Sequence, residues 1–575
     1  MAKICRMEEL SSFGFWDYLV LSLMLGGCLI IGVYQAFHGL RDADDYLLGG
    51  RQMKVFPVAI SLFSSFISAI GILGFCGETY GHGLEASWQL VGAAIGILVI
   101  SRLITPVLYP LKLTSINQFL GLRFNSTFLQ RLAMCLGVVQ ALLYMGMCLY
   151  APTIALGYVM PMDSNINIII LGIICTVYST LGGLRAVVWV DVFQIGVMVI
   201  GVLTIITVAC VDVGGVGQAW IIAEAHNRTN MFNLHFDVYE RHNLLNLLLL
   251  GLFNDGFNMG LTQASFQRVS SVPTLASAIG VLHFTALSLI VIGGLLFFMG
   301  ICVFAVYADC SPLGLGLINS KDQILPYFVL DRLTILPGMP GLFVAAIFSG
   351  ALSSISSALN GVVAMLWKDI LQTLPAFAKC SKTTETRINK GLSLLVGMVM
   401  IMLAYLSSLL GGILQAFNTL NGVTAGPMVG LFLMAVLLPW VNHYGAAAGL
   451  ISSWVLMAWV ALGSFFYSPS PELLSMSTDG CPHNNTTLGI ATPVVVTDQI
   501  ITPGWMTTNI YGISYCLLQI IGAIICILIG TLVSIATGGM KEINISKDYV
   551  HPIIHKWIKS QDVPTNEEMK VLNPL

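Results

Sequence analysis

Ser349, Ser353, Ser356 and Asn360 are separated by four, three and four residues, so a helix through them carries three hydroxyls and an amide on one face. The surrounding residues are apolar. In hydrocarbon such a face either packs against a neighbouring helix or binds something polar, and neutral oxygens in this density suit a small hard cation. Two other apolar stretches are interrupted by polar and small residues: Ser61–Gly74 by four serines and two glycines, and Asn254–Gln263 by Asn254, Asp255, Gly256, Asn258, Gly260, Thr262 and Gln263. Asp191 and Gln194, at i and i+3, share a helical face in a further stretch. A carboxylate at that depth must pair, protonate or meet a cation; Arg185, just upstream, is one partner within reach.

The elements that position these residues follow from composition. The chain has 575 residues, 56% hydrophobic and 9% charged, with mean hydropathy +0.86. Soluble domains carry about 25% charge, so this is an all-α polytopic membrane protein. A bilayer core needs about 20 apolar residues per helix. Such stretches lie near 15–36, 57–79, 84–109, 131–158, 166–183, 187–211, 244–266, 274–307, 341–367, 391–409, 411–438, 443–467 and 509–536, about thirteen spans. They form one transmembrane domain over 1–540, followed by a polar cytoplasmic tail, 541–575. The first span lacks a basic leader and a small-residue cleavage site and reads as a retained helix.

Charge sets the orientation. With the N-terminus outside, 19 of 25 lysines and arginines fall in inner segments, which the positive-inside rule requires. The sequons at Asn227, Asn484 and Asn485 then lie in long outer loops and read as glycan acceptors, whereas those at Asn125 and Asn544 face inward. Cys310 and Cys481 also fall in outer loops; a disulfide and two free thiols both fit the sequence. No zinc-ligand spacing occurs among the 13 cysteines. No basic tract suits nucleic acid. The phosphate-binding loop, HExxH and GxSxG are all missing, which argues against an ATP-driven pump or an enzyme.

Together these stretches resemble the sodium/solute symporter family, in the branch holding the monocarboxylate, multivitamin and iodide transporters. The resemblance runs from about 15 to 540 and is carried by Trp16-Asp17-Tyr18, Leu48–Met53, Pro57-Val58-Ala59, Gly182–Gln194, Gln263–Arg268, Asp322–Pro326, Pro340–Ala345, Ser349–Asn360 and Gly426–Phe432. It implies a leucine-transporter-like fold: two inverted five-helix repeats, about 57–211 and 244–438, each with one discontinuous helix. It implies a plasma-membrane symporter that takes up a small organic solute, a monocarboxylate or related anion, with co-transported sodium. For sodium it implies the carbonyls of Ser64, Ile67 and Gly350 and the hydroxyls of Ser353 and Ser354, with Asp191 and Gln194 supplying charge and polarity nearby. For the solute it implies a pocket among Phe66, Gly71, Phe75, Gln89, Tyr144, Asp255, Gln263 and Phe417.

Two positions depart from the anion-carrying branch, which often has Gln or Thr at Gly71 and a Trp-x-x-x-Tyr pattern at Asp255–Met259. A carboxylate at 255 repels an anionic solute unless a cation or proton bridges them. Asp255 therefore reads also as part of a second cation site, as a selector for a neutral or cationic solute, or as a half-helix cap. A passive channel or uniporter, and a sodium-dependent sensor without transport, remain as alternative classes.

Overall fold

The computed structural model describes residues 13–38, 43–159, 164–377, 380–407, 413–467, 473–481, 509–539 and 545–557. Asn484 and Asn485, and all of the tail beyond 557, lie outside these. Among the described residues the regular structure is entirely helical. Eleven helices are long and apolar enough to cross a membrane, and a bent pair, Val55–Phe66 and Ala69–His82, makes a twelfth span with a 54° angle at its break. Helix Ser164–Val213 is counted once but has 50 residues, about 75 Å if straight, against a hydrocarbon core of about 30 Å. Gly183 inside it has φ 58° and ψ −159°, and a Cβ there would sit 2.7 Å from the Tyr46 carbonyl oxygen. Only glycine turns the chain at that point, and the two arms read as the two spans expected at 166–183 and 187–211.

Helix Met339–Met365, the serine helix, is the central post: within the span it starts, 94% of the most apolar window is buried by protein. Its neighbours include Ser164–Val213, Thr127–Val159, Phe15–His38 and both halves of the first broken helix. That is why it tolerates a row of serines. They face protein and not lipid.

Local chemistry explains where the first break falls. The Ser65 hydroxyl donates to the Ser61 carbonyl at 2.9 Å, a side-chain bond that competes with the helical ladder. Ile67 (φ −82°, ψ 89°) and Ser68 (φ −87°, ψ 173°) then leave helical geometry. The Ser68 amide, which would bond the Ser64 carbonyl in an unbroken helix, donates instead to Phe66 at 3.1 Å.

The second break falls at the far end of the expected Asn254–Gln263 stretch. Asn254–Gly256 do not unwind. They lie in a π-helical segment, Gly251–Phe257, between Leu244–Leu250 and Asn258–Leu261, and the chain turns at Thr262 (φ −73°, ψ 147°), whose side chain caps helix Gln263–Ser271 through the Ser265 amide. Asp255 therefore caps no half-helix. The wider π-turn places it on the inner wall, a position such segments often serve.

Candidate sodium and solute sites

The serine helix crosses the first broken helix at its unwound turn. A Cβ on Gly350 would lie 3.0 Å from the Ala69 amide nitrogen and 3.1 Å from the Ser68 carbonyl carbon, so the two backbones touch there. The Ser354 hydroxyl donates to the carbonyls of Ser65 and Gly350, both at 3.0 Å. The hydroxyls of Ser65 and Ser357 are 2.7 Å apart. The serine helix thus presents two adjacent stripes. Ser354 and Ser357 meet the break; Ser353, one residue over, approaches Asp191. The buried hydroxyls of Ser64 and Ser353, together with Asp191 Oδ1 and Gln194 Oε1, have no hydrogen-bond partner among the described residues. Such orphaned oxygens are costly in a dry interior and are the right chemistry for a cation that has shed water.

Asp191 does not pair with Arg185. Arg185 binds Asp45 at 2.8 Å and the Gly49 carbonyl. Asp191 Oδ2 instead accepts from Arg268 Nη2 at 3.0 Å and from the Ser61 hydroxyl at 2.5 Å. Arg268 also donates through Nε to Ser61 at 2.8 Å, through Nη2 to the Ser65 and Ser357 hydroxyls, and through Nη1 to the Ala264 carbonyl. Arg268 as the partner of Asp191 is a residue that sequence reasoning missed. Its signal was one arginine in the middle of Gln263–Ser271, a helix with no acid of its own. Gln194 donates to Cys28 Sγ at 3.4 Å, linking the kinked helix to the first span.

A single cavity adjoins this crossing, and all eight residues expected in the solute pocket line it: Phe66, Gly71, Phe75, Gln89, Tyr144, Asp255, Gln263 and Phe417. It runs to Ile116 and Asn117, in the segment that follows Lys112, at the basic end of the molecule. Gln263 is held away from any free role: its amide donates to the Thr114 carbonyl at 2.7 Å and its oxygen accepts from the Ile116 amide at 2.8 Å. Gln89 donates to Asp255 Oδ2 at 2.6 Å, and Asn254 donates to Asp255 Oδ1 at 2.9 Å and to Asn418 at 3.0 Å. Asn254 is one of the polar residues that interrupt its apolar stretch, whereas Asn418 gives no such signal in the sequence.

On the helix that brings Phe75 to the cavity, Glu78, 1% exposed, binds Lys321 at 2.5 Å and Arg241 at 2.9 Å, with His242 at 3.4 Å. Beyond it the structure joins Cys310 to Cys481, with Cα atoms 4.9 Å apart. Asn227 is exposed in the segment after Val216–Ala225.

A polytopic helical bundle with a broken helix crossing a hydroxylated one, beside an internal cavity, has the architecture of a secondary transporter. Residues 46–453 match the sodium:solute symporter family, and the chain belongs to it. It is 35% identical to sodium-coupled monocarboxylate transporter 1 of Xenopus laevis over 94% of this chain and 88% of that one. It is 36% identical to sodium-coupled monocarboxylate transporter 2 of Bos taurus over 95% and 88%, and 33% identical to the sodium-dependent multivitamin transporter of Oryctolagus cuniculus over 97% and 90%. Its fold matches a Na+-coupled sialic acid symporter in a substrate-bound outward-open state, with TM-score 0.74 at 21% identity over 91% of this chain and 98% of that one. The protein is a sodium-coupled symporter of the membrane, not an enzyme, and sodium is its co-substrate.

Proposed function

We propose that this protein draws a small organic carboxylate into the cell across the plasma membrane, coupled to sodium entry, by alternating access. The observation that carries this is the contact of the unwound Ser64–Ser68 turn with Gly350 and Ser354. Sodium sits there in this reading, held by the carbonyls of Ser64, Ile67 and Gly350 and the hydroxyls of Ser353 and Ser354, with Asp191 and Gln194 behind. Neutral oxygens replace part of its hydration while leaving it free to depart. One charge moving through about 100 mV supplies about 2.3 kcal/mol, which drives the solute uphill.

A carboxylate is favoured because two relatives are named as monocarboxylate transporters and because helix Ala69–His82 starts at the cavity with no side-chain cap on Ser68. Its first amides and positive dipole end suit an anionic group beside sodium. In this reading the N-terminus is outside, the C-terminus inside and Asn227, exposed after Val216–Ala225, available to a glycan. Sodium-dependent uptake of labelled lactate and nicotinate in Xenopus-oocyte-type expression tests the coupling. Ser353→Ala is expected to raise the half-saturating sodium concentration at least tenfold. Uptake indifferent to sodium would favour a uniporter, and unaltered sodium dependence in Ser353→Ala would remove the assigned site.

A further inference from the structure

The cavity contains a carboxylate that the coupling mechanism above does not use. Asp255 is 6% exposed and lines the cavity wall. No lysine, arginine or histidine among the described residues forms an ion pair with it. Among the described residues its side chain's only hydrogen-bond partners are the amides of Gln89 and Asn254. Two donors leave about half of a carboxylate's acceptor sites open, and a buried acid without a counter-charge is unfavourable. The neighbouring wall is aromatic: Phe66, Phe75, Tyr144 and Phe417 line the same space. Tyr144 and Phe417 have ring centroids 5.7 Å apart, and Phe75 is braced by stacking on Phe297 at 4.8 Å. A carboxylate set among aromatic faces is the chemistry that recognises an ammonium group, through charge and through the ring quadrupole. The cavity's other charged group, Arg268, is fully engaged by Asp191, the serines and the Ala264 carbonyl, so it neutralises nothing at Asp255.

We infer that the solute is a zwitterion, a carboxylate that also carries an ammonium group, with the ammonium at Asp255 and the carboxylate at the Ala69–His82 helix start. This rests on the proposed reading of the cavity as the solute site and narrows its solute class. It also removes the conflict between carboxylate-carrying relatives and an acidic pocket. Gly71 adds room between the two ends, since a Cβ there would meet nothing nearer than Phe75 at 3.8 Å.

The test uses the full chain in a cell-surface expression system, with labelled glycine betaine, β-alanine and lactate, each with and without sodium. Glycine betaine or β-alanine is expected to exceed lactate at least tenfold in sodium-dependent uptake. Asp255→Asn is expected to collapse that ratio at least tenfold, while Asp255→Glu, which keeps the charge, restores part of it and controls for folding. Lactate preferred by the wild type, a ratio unmoved by Asp255→Asn, or no uptake of either ammonium-bearing probe overturns the proposal. So does an Asp255→Asn variant that changes sodium half-saturation and not solute preference, since that would make Asp255 a cation ligand. Sodium-evoked charge movement without solute reads the coupling separately. If it is present in the wild type and lost in Ser353→Ala, the symporter mechanism stands whichever solute wins; if it is absent, that mechanism fails irrespective of Asp255.

Discussion

Arg268 and Asp191 form an ion pair inside the protein, with Nη2 and Oδ2 at 3.0 Å and side chains 1% and 0% exposed. The pair joins the helix after the second break to the kinked helix. Ser61 on the first broken helix and Ser357 on the serine helix bond the same guanidinium. Four elements are therefore tied at one planar group.

Removing either partner strands a buried charge, which costs about 3–5 kcal/mol. Arg268→Ala and Asp191→Ala are each expected to reduce folded surface protein severely. The double variant should lose much less than the sum of the two, because neither charge is then left alone. Surface labelling and thermal denaturation in detergent measure this. Arg268→Lys keeps the charge but not the fork that reaches several oxygens at once; it should fold and lose at least tenfold in uptake. Additive single effects would show that the pair is not a unit.

The first break was legible because serines at 61, 64, 65 and 68 compete with the backbone in a short stretch, and one of those competing bonds is made. The second falls within the expected Asn254–Gln263 stretch, but at its far end: a π-turn absorbs Asn254, Asp255 and Gly256, and Thr262 does the breaking. A π-turn has no composition signature, since it is a matter of one extra residue in register. Asp191 was recognised as needing a partner, but Arg185 was nearer in sequence. The true partner is 77 residues away, and only the packing of the helices brings it in. The Glu78 cluster was invisible for the same reason: its cations come from separate loops.

In the proposed orientation the Glu78 cluster lies on the outer side of the cavity. Lys321 and Arg241 hold its two oxygens, and Arg241 continues to Gln415 at 2.9 Å. The outer half of the first broken helix is thereby fastened to two loops and a late helix. Glu78→Gln should loosen this cluster and favour the outward-open form, read as faster reaction of a cysteine placed at Gly71 with an impermeant thiol reagent from outside. Unchanged reactivity would show that the outer side is held by other contacts.

Beside it, burial pushes the His242 imidazole down to about 3, with Glu78 opposing. The group is neutral in the folded protein and titrates near 6.5 when unfolded. A depressed histidine favours the folded state fully only above its unfolded pKa. Stability is lost as pH falls from about 6.5 towards 3, by on the order of 1 kcal/mol at pH 5.5. Thermal midpoints in detergent should fall between pH 7.5 and 5.5, and His242→Gln should flatten that slope. An equal slope in the variant would assign the acid sensitivity elsewhere.

Helix Trp88–Leu103 and the π-helical segment approach most closely through glycine. A Cβ on Gly256 would lie 2.5 Å from Gly96 Cα and 2.8 Å from the Ala93 carbonyl oxygen, and one on Gly96 would lie 2.7 Å from Gly256 Cα. Every atom met is backbone, so nothing can rotate aside. Close approach of this kind is how small residues hold helices together where lipid gives no hydrophobic drive. Here it also sets the solute cavity, because Gln89 on one element reaches Asp255 on the other at 2.6 Å. Gly256→Ala should force the two apart, at a cost of about 1–3 kcal/mol, and stretch that bond. Uptake is expected to fall at least tenfold with a lowered thermal midpoint. Gly294→Ala, where a Cβ meets nothing within 4 Å, should leave both unchanged. If the two alanines behave alike, the glycine contact is not what fixes the cavity wall.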